Sequence, residues 1–186
     1  MAGATFLVSD THFGHAGVCK FTHNDTEIKI RPWTDPDEMD EDMVRMWNDT
    51  VRPGDKVYHL GDVVINRKSL VILDRLNGDK VLIKGNHDIF KLSDYTKYFR
   101  DIRAYHKIEE YMLSHIPMHP DSLARWCGGN FHGHLHSNRV MIDVYDPTYD
   151  TKTIIDPRYF NVSVEQIGFK PILFEDAVAK MKEQQA

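Results

Sequence analysis

Five short apolar runs in this chain each lead directly into residues that can bind a metal ion. Functional groups in open α/β sheets gather at the carboxyl ends of the strands, and residues two apart in extended chain point the same way. The sequence therefore predicts an α/β fold in which these side chains meet along one rim. The residues, in chain order, are Asp10 and His12; Asp62; Asn86, His87 and Asp88; His115; and His134 and His136.

The order of predicted elements agrees with this fold class. Strands at 5–8, 56–60 and 81–83 alternate with a helix that Asp35 caps and that runs from Pro36 to about Val51, and with a helix at 67–76. The second half is mostly predicted strand. These strands lie at 102–107, 110–114 and 129–131, with a hairpin of 140–144 and 159–164, before a closing helix at 175–184. We find no linker, and we expect a single domain spanning residues 1–186.

Composition narrows the classes of partner. The chain has 41% apolar and 27% charged residues, ordinary values for a soluble globular protein. A net charge of −5 and the lack of a basic run argue against strong non-specific nucleic-acid binding. No apolar run resembles a membrane span or a signal peptide, and we expect Cys19 and Cys127 to be free thiols. These features predict a cytoplasmic protein with no membrane partner.

The candidate ligands are Asp, His and Asn, without Cys. Imidazole with carboxylate and carbonyl oxygens suits Mn, Fe, Zn, Ni or Co better than a metal that prefers thiolate. The set is large enough for two divalent metal ions, with one Asp bridging them. We expect Mn²⁺ first, with Fe, Zn, Ni or Co as alternatives.

In this order the motifs resemble the calcineurin-like metallophosphoesterase family, in particular its small single-domain members of phage and bacterial type. The family pattern is Asp-x-His, Gly-Asp, Gly-Asn-His-Asp/Glu, His and Gly-His-x-His. It stands here at Asp10–His12, Gly61–Asp62, Gly85–Asp88, His115 and Gly133–His136. The resemblance implies a four-layered α/β/β/α sandwich of two mixed β-sheets flanked by helices. The chain departs from many members in having no further Asp shortly after the Gly-Asp pair.

The resemblance also implies roles for the individual residues. His87 would lie beside the substrate as the general acid, and Asp88 would orient its ring. Asn86 would also contact the substrate, and from its position in a nearby loop His15 could do so. The implied metal ligands are Asp10, His12 and His136 for the first ion, Asn86, His115 and His134 for the second, and Asp62 as the bridge. His59, His119 and His132 are expected to be structural.

The predicted function is that of a dinuclear-metal phosphoesterase. A hydroxide bridging the metals would attack phosphorus in line, and His87 would protonate the leaving oxygen. The substrate would be a phosphorylated small molecule or a short nucleotide. A phosphodiester is favoured for two reasons. The set of metal ligands is complete and His87 is present, and the small chain has no added cap domain. A phosphomonoesterase with the same site is the alternative, and a non-catalytic metal-binding scaffold is the less favoured third interpretation.

Overall fold

Eleven strands and five α-helices form the regular structure of the described residues, which are 3–23, 26–124 and 128–185 of a computed structural model. The strands are β1 (Thr5–Val8), β2 (Lys56–His59), β3 (Asp79–Ile83), β4 (Asp101–Arg103), β5 (Tyr105–Ile108), β6 (Tyr111–Ser114), β7 (Gly129–His132), β8 (Met141–Asp146), β9 (Asp150–Ile155), β10 (Tyr159–Asn161) and β11 (Ile172–Leu173). The helices are α1 (Pro36–Thr50), α2 (Leu92–Tyr95), α3 (Pro120–Leu123), α4 (Val164–Ile167) and α5 (Phe174–Gln185), and 3₁₀ helices cover Val18–Lys20 and Arg67–Arg75.

The strands form two mixed sheets and one separate hairpin. The first sheet has the order β11-β1-β2-β3-β4, in which β1 to β4 are parallel and β11 is antiparallel to β1. The second sheet has the order β10-β7-β6-β5, in which only β5 is antiparallel to its neighbour. Strands β8 and β9 pair with each other. The predicted mixed α/β fold is confirmed at this level.

The first sheet is covered on both faces, which explains its nearly continuous apolar strands. Successive residues of a strand face opposite sides, so Val57 packs into a core with Trp47 of α1, whereas Tyr58 belongs to a second core. That second core also contains Phe131 of the second sheet and Phe174 of α5. The two sheets are therefore joined by a shared apolar core.

Local signals locate the first helix within one residue. The Asp35 carboxylate accepts a hydrogen bond from the N–H of Asp37 (3.0 Å), and Pro36 occupies the first helical position, where it needs no hydrogen-bond partner. The predicted helix at 67–76 is confirmed at Arg67–Arg75, where it is of the 3₁₀ type. The closing helix is confirmed as α5.

Two strand predictions in the second half are corrected. The predicted strand 102–107 is split at Ala104, so that β4 joins the first sheet and β5 the second. The predicted hairpin of 140–144 with 159–164 is wrong, because β8 pairs with β9, and β10 lies parallel to β7. The reason is a tight turn in which the Asp146 carboxylate accepts the N–H groups of Thr148 and Tyr149. That turn folds the supposed loop back into a strand.

Cys19 is a buried free thiol, and Cys127 lies outside the described residues. Within the part of the chain that the structure describes, no helix has the length and apolar character needed to cross a bilayer. The single domain of residues 1–186 and the cytoplasmic location stay predictions.

Candidate metal centre

Loops at the carboxyl ends of five parallel strands bring the predicted ligands into two clusters. Strands β1, β2 and β3 of the first sheet and β6 and β7 of the second sheet each lead into one of these loops. In each cluster every residue offers one possible ligand atom, and these atoms lie within 4.8 Å of one another. The first cluster contains Asp10, His12 and His136, and the second contains Asp62, His115 and His134.

The backbone of these loops is strained at five of the predicted ligands. Residues other than glycine avoid positive φ, because the Cβ atom then crowds the neighbouring carbonyl. Such strain persists where the surrounding structure enforces it, and it concentrates at functional sites. The five φ angles are 58° at Asp10, 49° at His12, 55° at Asp62, 69° at His134 and 49° at His136.

The first cluster has the spacing of ligands around a shared ion. The Oδ1 atom of Asp10 lies 3.8 Å from Nε2 of His12 and 3.9 Å from Nε2 of His136, too far for hydrogen bonds. Asp10 Oδ1 and both ring nitrogens of His12 are buried and have no hydrogen-bond partner among the described residues. Since unpaired buried polar atoms are costly, a cation held between them fits this cluster.

Asp62 lies between the two clusters. Its Oδ2 atom is 3.4 Å from Nε2 of His115 and 3.7 Å from Nε2 of His12. The same His115 nitrogen is 2.8 Å from Oδ1 of Asn86, which brings this side chain to the second cluster. One carboxylate oxygen therefore faces ligand atoms of both clusters.

Electrostatics favour the protonation states that metal binding needs at two predicted ligands, Asp62 and His12. Burial raises the pKa of Asp10, whereas at His115 and His136 burial is outweighed by neighbouring carboxylates, which raise the pKa of both rings. Burial opposes ionisation of Asp62, but the hydrogen bond and charge of His115 outweigh it and lower the pKa of Asp62 to about 2. Burial, followed by the charge of Arg31, lowers the pKa of His12 well below its usual value. The Asp62 carboxylate is thus ionised and the His12 imidazole neutral near pH 7, the forms in which these groups act as ligands.

Two residues that sequence reasoning missed support the first cluster. Glu165 of α4 accepts a hydrogen bond from Nδ1 of His136 (3.0 Å), which leaves Nε2 facing Asp10. The buried Arg31 guanidinium donates to Glu165 (2.7 Å) and to the backbone carbonyls of Asp10 (2.6 Å) and Thr11 (2.9 Å). An outer carboxylate on a ligand histidine fixes its ring and its tautomer.

The predicted role of Asp88 as the group that orients His87 stays a prediction, and the structure shows backbone partners of its carboxylate. Its carboxylate is fully buried and accepts the backbone N–H groups of Asp62 (2.9 Å), Val63 (3.1 Å) and Gly85 (2.8 Å). A buried carboxylate needs several donors, and the two ligand loops supply them. Asp88 therefore holds these loops together.

His87 and His15 lie at the margin of the centre. The His87 ring is exposed, its centroid is 5.7 Å from that of His12, and its backbone N–H donates to Oδ1 of Asp62 (2.8 Å). The His15 centroid is 5.6 Å from that of His12. Burial, then Arg31, lowers the pKa of His15. Both rings lie close enough to contact a substrate, and their roles stay predictions.

Three further histidines, which were expected to be structural, have partners outside the two clusters. His59 is buried and bonds Oγ1 of Thr11 through Nε2 (3.0 Å). His132 is buried, and its Nδ1 atom forms a hydrogen bond with the carbonyl oxygen of Gly133 (2.8 Å). His119 precedes α3 and accepts the N–H of Asp121 (3.3 Å).

Glycine is required where two ligand loops approach each other. A Cβ atom on Gly85 would lie 2.2 Å from Oδ1 of Asp62, and one on Gly133 would lie 2.4 Å from Oδ2 of Asp10. Real side chains do not approach so closely, so any substitution would displace a predicted ligand. The close approach of the loops thus explains why glycine stands at these two positions of the motifs.

Comparisons with known proteins give a relative and a similar fold. No family model matches the chain. The structure of a protein of unknown function, AQ665 from Aquifex aeolicus, superposes with a TM-score of 0.65 at 25% identity, over 96% of this chain and 99% of that one. An archaeal phosphodiesterase superposes with a TM-score of only 0.42 at 14% identity, over 82% of this chain and 99% of that one, and so weak a likeness says nothing about activity.

A relative of similar length shows to which family this chain belongs. The uncharacterized protein MJ1445 of Methanocaldococcus jannaschii is 33% identical over an alignment of 188 positions, which covers 96% of this chain and 90% of that protein. Identity at this level over nearly the whole of both chains leads to one conclusion: this chain belongs to the same family as MJ1445.

Proposed function

We propose that this protein is a two-metal phosphoesterase of the calcineurin-like metallophosphoesterase type that hydrolyses a nucleotide-like phosphodiester. Its two sheets and flanking helices would form the four-layered α/β/β/α sandwich of that family. The ordered motifs support the proposal, because six of the seven residues that the resemblance assigns to two ions fall into two clusters.

The position of Asp62 carries the proposal. Its Oδ2 atom faces His12 of one cluster and His115 of the other, at 3.7 and 3.4 Å. A carboxylate placed in this way can share its oxygen atoms between two ions. Two separate mononuclear sites would not need a ligand between them.

The ligand set indicates what the centre would bind. Asp10, His12 and His136 would hold one ion, and Asn86, His115 and His134 the other. Imidazole, carboxylate and amide oxygen favour Mn²⁺, with Fe, Zn, Ni or Co as alternatives. Two such ions, when bound, activate water and neutralise the negative charge of a phosphate ester.

The exposed His87 ring suits proton transfer at the mouth of the centre. During hydrolysis a bond forms between a water oxygen and phosphorus, the ester P–O bond breaks, and the departing oxygen takes up a proton. His87 would supply that proton, and Asn86 and His15 would contact the substrate from the same side. A well-placed general acid contributes typically ~10²–10⁴-fold.

The test compares diester and monoester hydrolysis by metal-stripped protein to which each divalent metal is returned. We expect Mn²⁺-dependent hydrolysis of bis-p-nitrophenyl phosphate at a higher kcat/KM than p-nitrophenyl phosphate. Asp62→Asn should lose activity and both equivalents of tightly bound metal, because it removes the carboxylate that the two ions would share. Asp176→Asn, on the exposed side of α5, is the matched control and should change neither.

His87→Ala separates proton transfer from metal binding. This variant should keep both metal equivalents but lose ~10²-fold or more in kcat on diesters with poor leaving groups, with a much smaller loss on p-nitrophenyl esters. A preference for monoesters would reassign the same centre to a phosphomonoesterase. A metal-loaded protein that is inert on every ester would instead support the scaffold interpretation.

A further inference from the structure

A groove leaves the second cluster on the side of Asn86 and His115. It consists of two adjoining cavities of about 360 and 390 Å³ that share Lys84, Gly85 and Ala104. The cavity nearer the metal centre also has Asn86 and His115 in its lining. The groove, which we call the side groove, therefore opens from the side chains proposed to bind the second ion.

The near wall of the side groove is apolar. Tyr105, Ile116 and Met118 line it, and Tyr105 and Ile116 are 62% and 54% exposed. Large apolar side chains exposed together beside a polar site are typical of ligand-binding clefts. This wall fits a flat, largely apolar group of about the size of a nucleobase.

The backbone of the same wall is held in place before any ligand binds. Tyr105 is paired with Ser114 across β5 and β6, and the Ser114 hydroxyl donates to the carbonyl of Ile116 (2.7 Å). The backbone of Met118 is fixed from two sides, since its N–H donates to Oδ1 of Asn130 (2.9 Å) and its carbonyl accepts from the Tyr159 hydroxyl (2.6 Å). A preformed wall lowers the entropic cost of binding.

Lys84 gives the side groove a positive charge. It lines both cavities, is exposed, and forms no ion pair with any residue that the structure describes. Arg103, at the far end, is already paired with Asp101 (2.6 Å). In a chain with a net charge of −5, an unpaired lysine beside a phosphate-binding centre fits a second negative group on the same substrate.

We propose that the side groove binds the nucleoside part of a phosphodiester substrate, an inference that rests on the proposed function. The base packs on Tyr105 and Ile116, and a further phosphate of the same molecule contacts Lys84. The substrate class is then a short oligonucleotide with at least two phosphates. Small aliphatic diesters would leave the groove empty.

The test uses three diesters that all release p-nitrophenolate, so that the leaving group is constant. They are methyl p-nitrophenyl phosphate, the p-nitrophenyl ester of thymidine 5′-monophosphate, and the same ester with a 3′-phosphate. We expect kcat/KM to rise about tenfold from the first to the second, as base stacking on an aromatic ring provides. A further rise of about threefold to the third is expected from one exposed charge pair.

Two variants assign these gains to residues. Tyr105→Ala should abolish most of the first gain, and Lys84→Met should abolish the second, while both keep wild-type hydrolysis of the methyl ester. Tyr145→Ala and Lys152→Met are the matched controls, because both residues are exposed on the β8–β9 hairpin outside the side groove, and they should retain both gains.

Some outcomes would overturn the proposal while leaving the proposed function intact. One such outcome is an equal kcat/KM for all three esters. The other is that Tyr105→Ala lowers kcat/KM by the same factor for all three esters. The second result would place the p-nitrophenyl ring in the groove instead of the nucleoside.

Calorimetry with thymidine 3′,5′-bisphosphate, with and without metal, gives a readout that does not require turnover. Binding tighter than that of inorganic phosphate, and weakened about tenfold by Tyr105→Ala, supports the side groove even if no ester is hydrolysed. Equal affinity for the bisphosphate and inorganic phosphate overturns the proposal.

Discussion

The His136 ring shows how one hydrogen bond prepares a ligand. Its two nitrogens face different partners. Nδ1 forms a hydrogen bond with Oε1 of Glu165 (3.0 Å), and Nε2 lies 3.9 Å from Oδ1 of Asp10. Glu165 is in turn held by Arg31, which also binds the carbonyl of Asp10. Glu165 therefore acts as a positioning residue for the first cluster, through both the ring and the loop that carries Asp10.

Removal of Glu165 should weaken the first ion selectively. We expect Glu165→Ala to lower metal affinity at the first cluster by about 10–100-fold, the usual effect of losing an outer partner of a ligand histidine. Glu165→Gln should retain more affinity, because its amide oxygen can still accept the Nδ1–H bond. Calorimetric titration of stripped protein with Mn²⁺ resolves the two equivalents.

Glu175→Ala, an exposed glutamate of α5, is the control for the loss of one carboxylate. The positioning role would be wrong if Glu165→Ala bound two equivalents with unchanged affinity. It would also be wrong if both equivalents weakened together, because that result indicates a general loss of structure.

At the scale of single residues, the motifs identified the members of both clusters but not the residues that support them. Asp10 and His12 directly follow a strand, so local spacing was enough to bring them to one rim. Arg31 and Glu165 are 134 residues apart and meet only in the folded chain, and neither lies in a recognisable pattern. Asp88 was found by its motif, yet its partners are backbone amides, which no side-chain pattern reveals.

At the scale of elements, the first half of the chain was more predictable than the second. Its strands are parallel and alternate with helices, so apolar runs and caps mark their limits well. The chain changes sheets at Ala104 without a turn signal, because Ile102 and Tyr105 both continue a strand-like pattern. Only tertiary pairing divides that segment into β4 and β5.

The β8–β9 hairpin is an appendage of the two sheets. Its strands pair with each other, and Tyr145 and Tyr149 near its tip are 78% and 76% exposed. We expect replacement of residues 143–153 by Asn-Gly, which permits a tight turn between Ile142 and Ile154, to lower Tm by less than about 3 °C, the scale of a change in exposed residues. Differential scanning calorimetry measures this change.

The same deletion should leave metal stoichiometry and diester hydrolysis unchanged, since none of the cluster residues lies within it. A loss of more than about 10 °C, or of either metal equivalent, would show that the hairpin supports the sheets or the centre. The matched comparison is a sequence-scrambled hairpin of the same length, which keeps the chain length and changes the exposed side chains.

At the scale of the whole molecule, each cluster takes candidate ligands from both sheets. Asp10 and His12 follow β1 of the first sheet, whereas His136 follows β7 of the second. Asp62 follows β2 of the first sheet, whereas His115 and His134 follow β6 and β7 of the second. An ion in either cluster would therefore link the two sheets across the rim of their shared core, and it would also offset the backbone strain of the five ligands with positive φ.

Metal binding should accordingly stabilise the whole fold. A ligand at 100 times its Kd stabilises the native state by about 2.7 kcal/mol, which corresponds to a Tm increase of roughly 5–10 °C for a chain of this size. Because two ions are proposed to bind, we expect about twice this increase for stripped protein with Mn²⁺, and we expect EDTA to reverse it. His115→Ala should lose about half of it, because one of two ions is lost, and Asp62→Asn should lose most of it. His106→Ala, a histidine of β5 outside both clusters, should keep the full increase. If no divalent metal raises the Tm of the wild-type protein, or if His115→Ala retains the whole increase, the clusters do not join the sheets through bound ions.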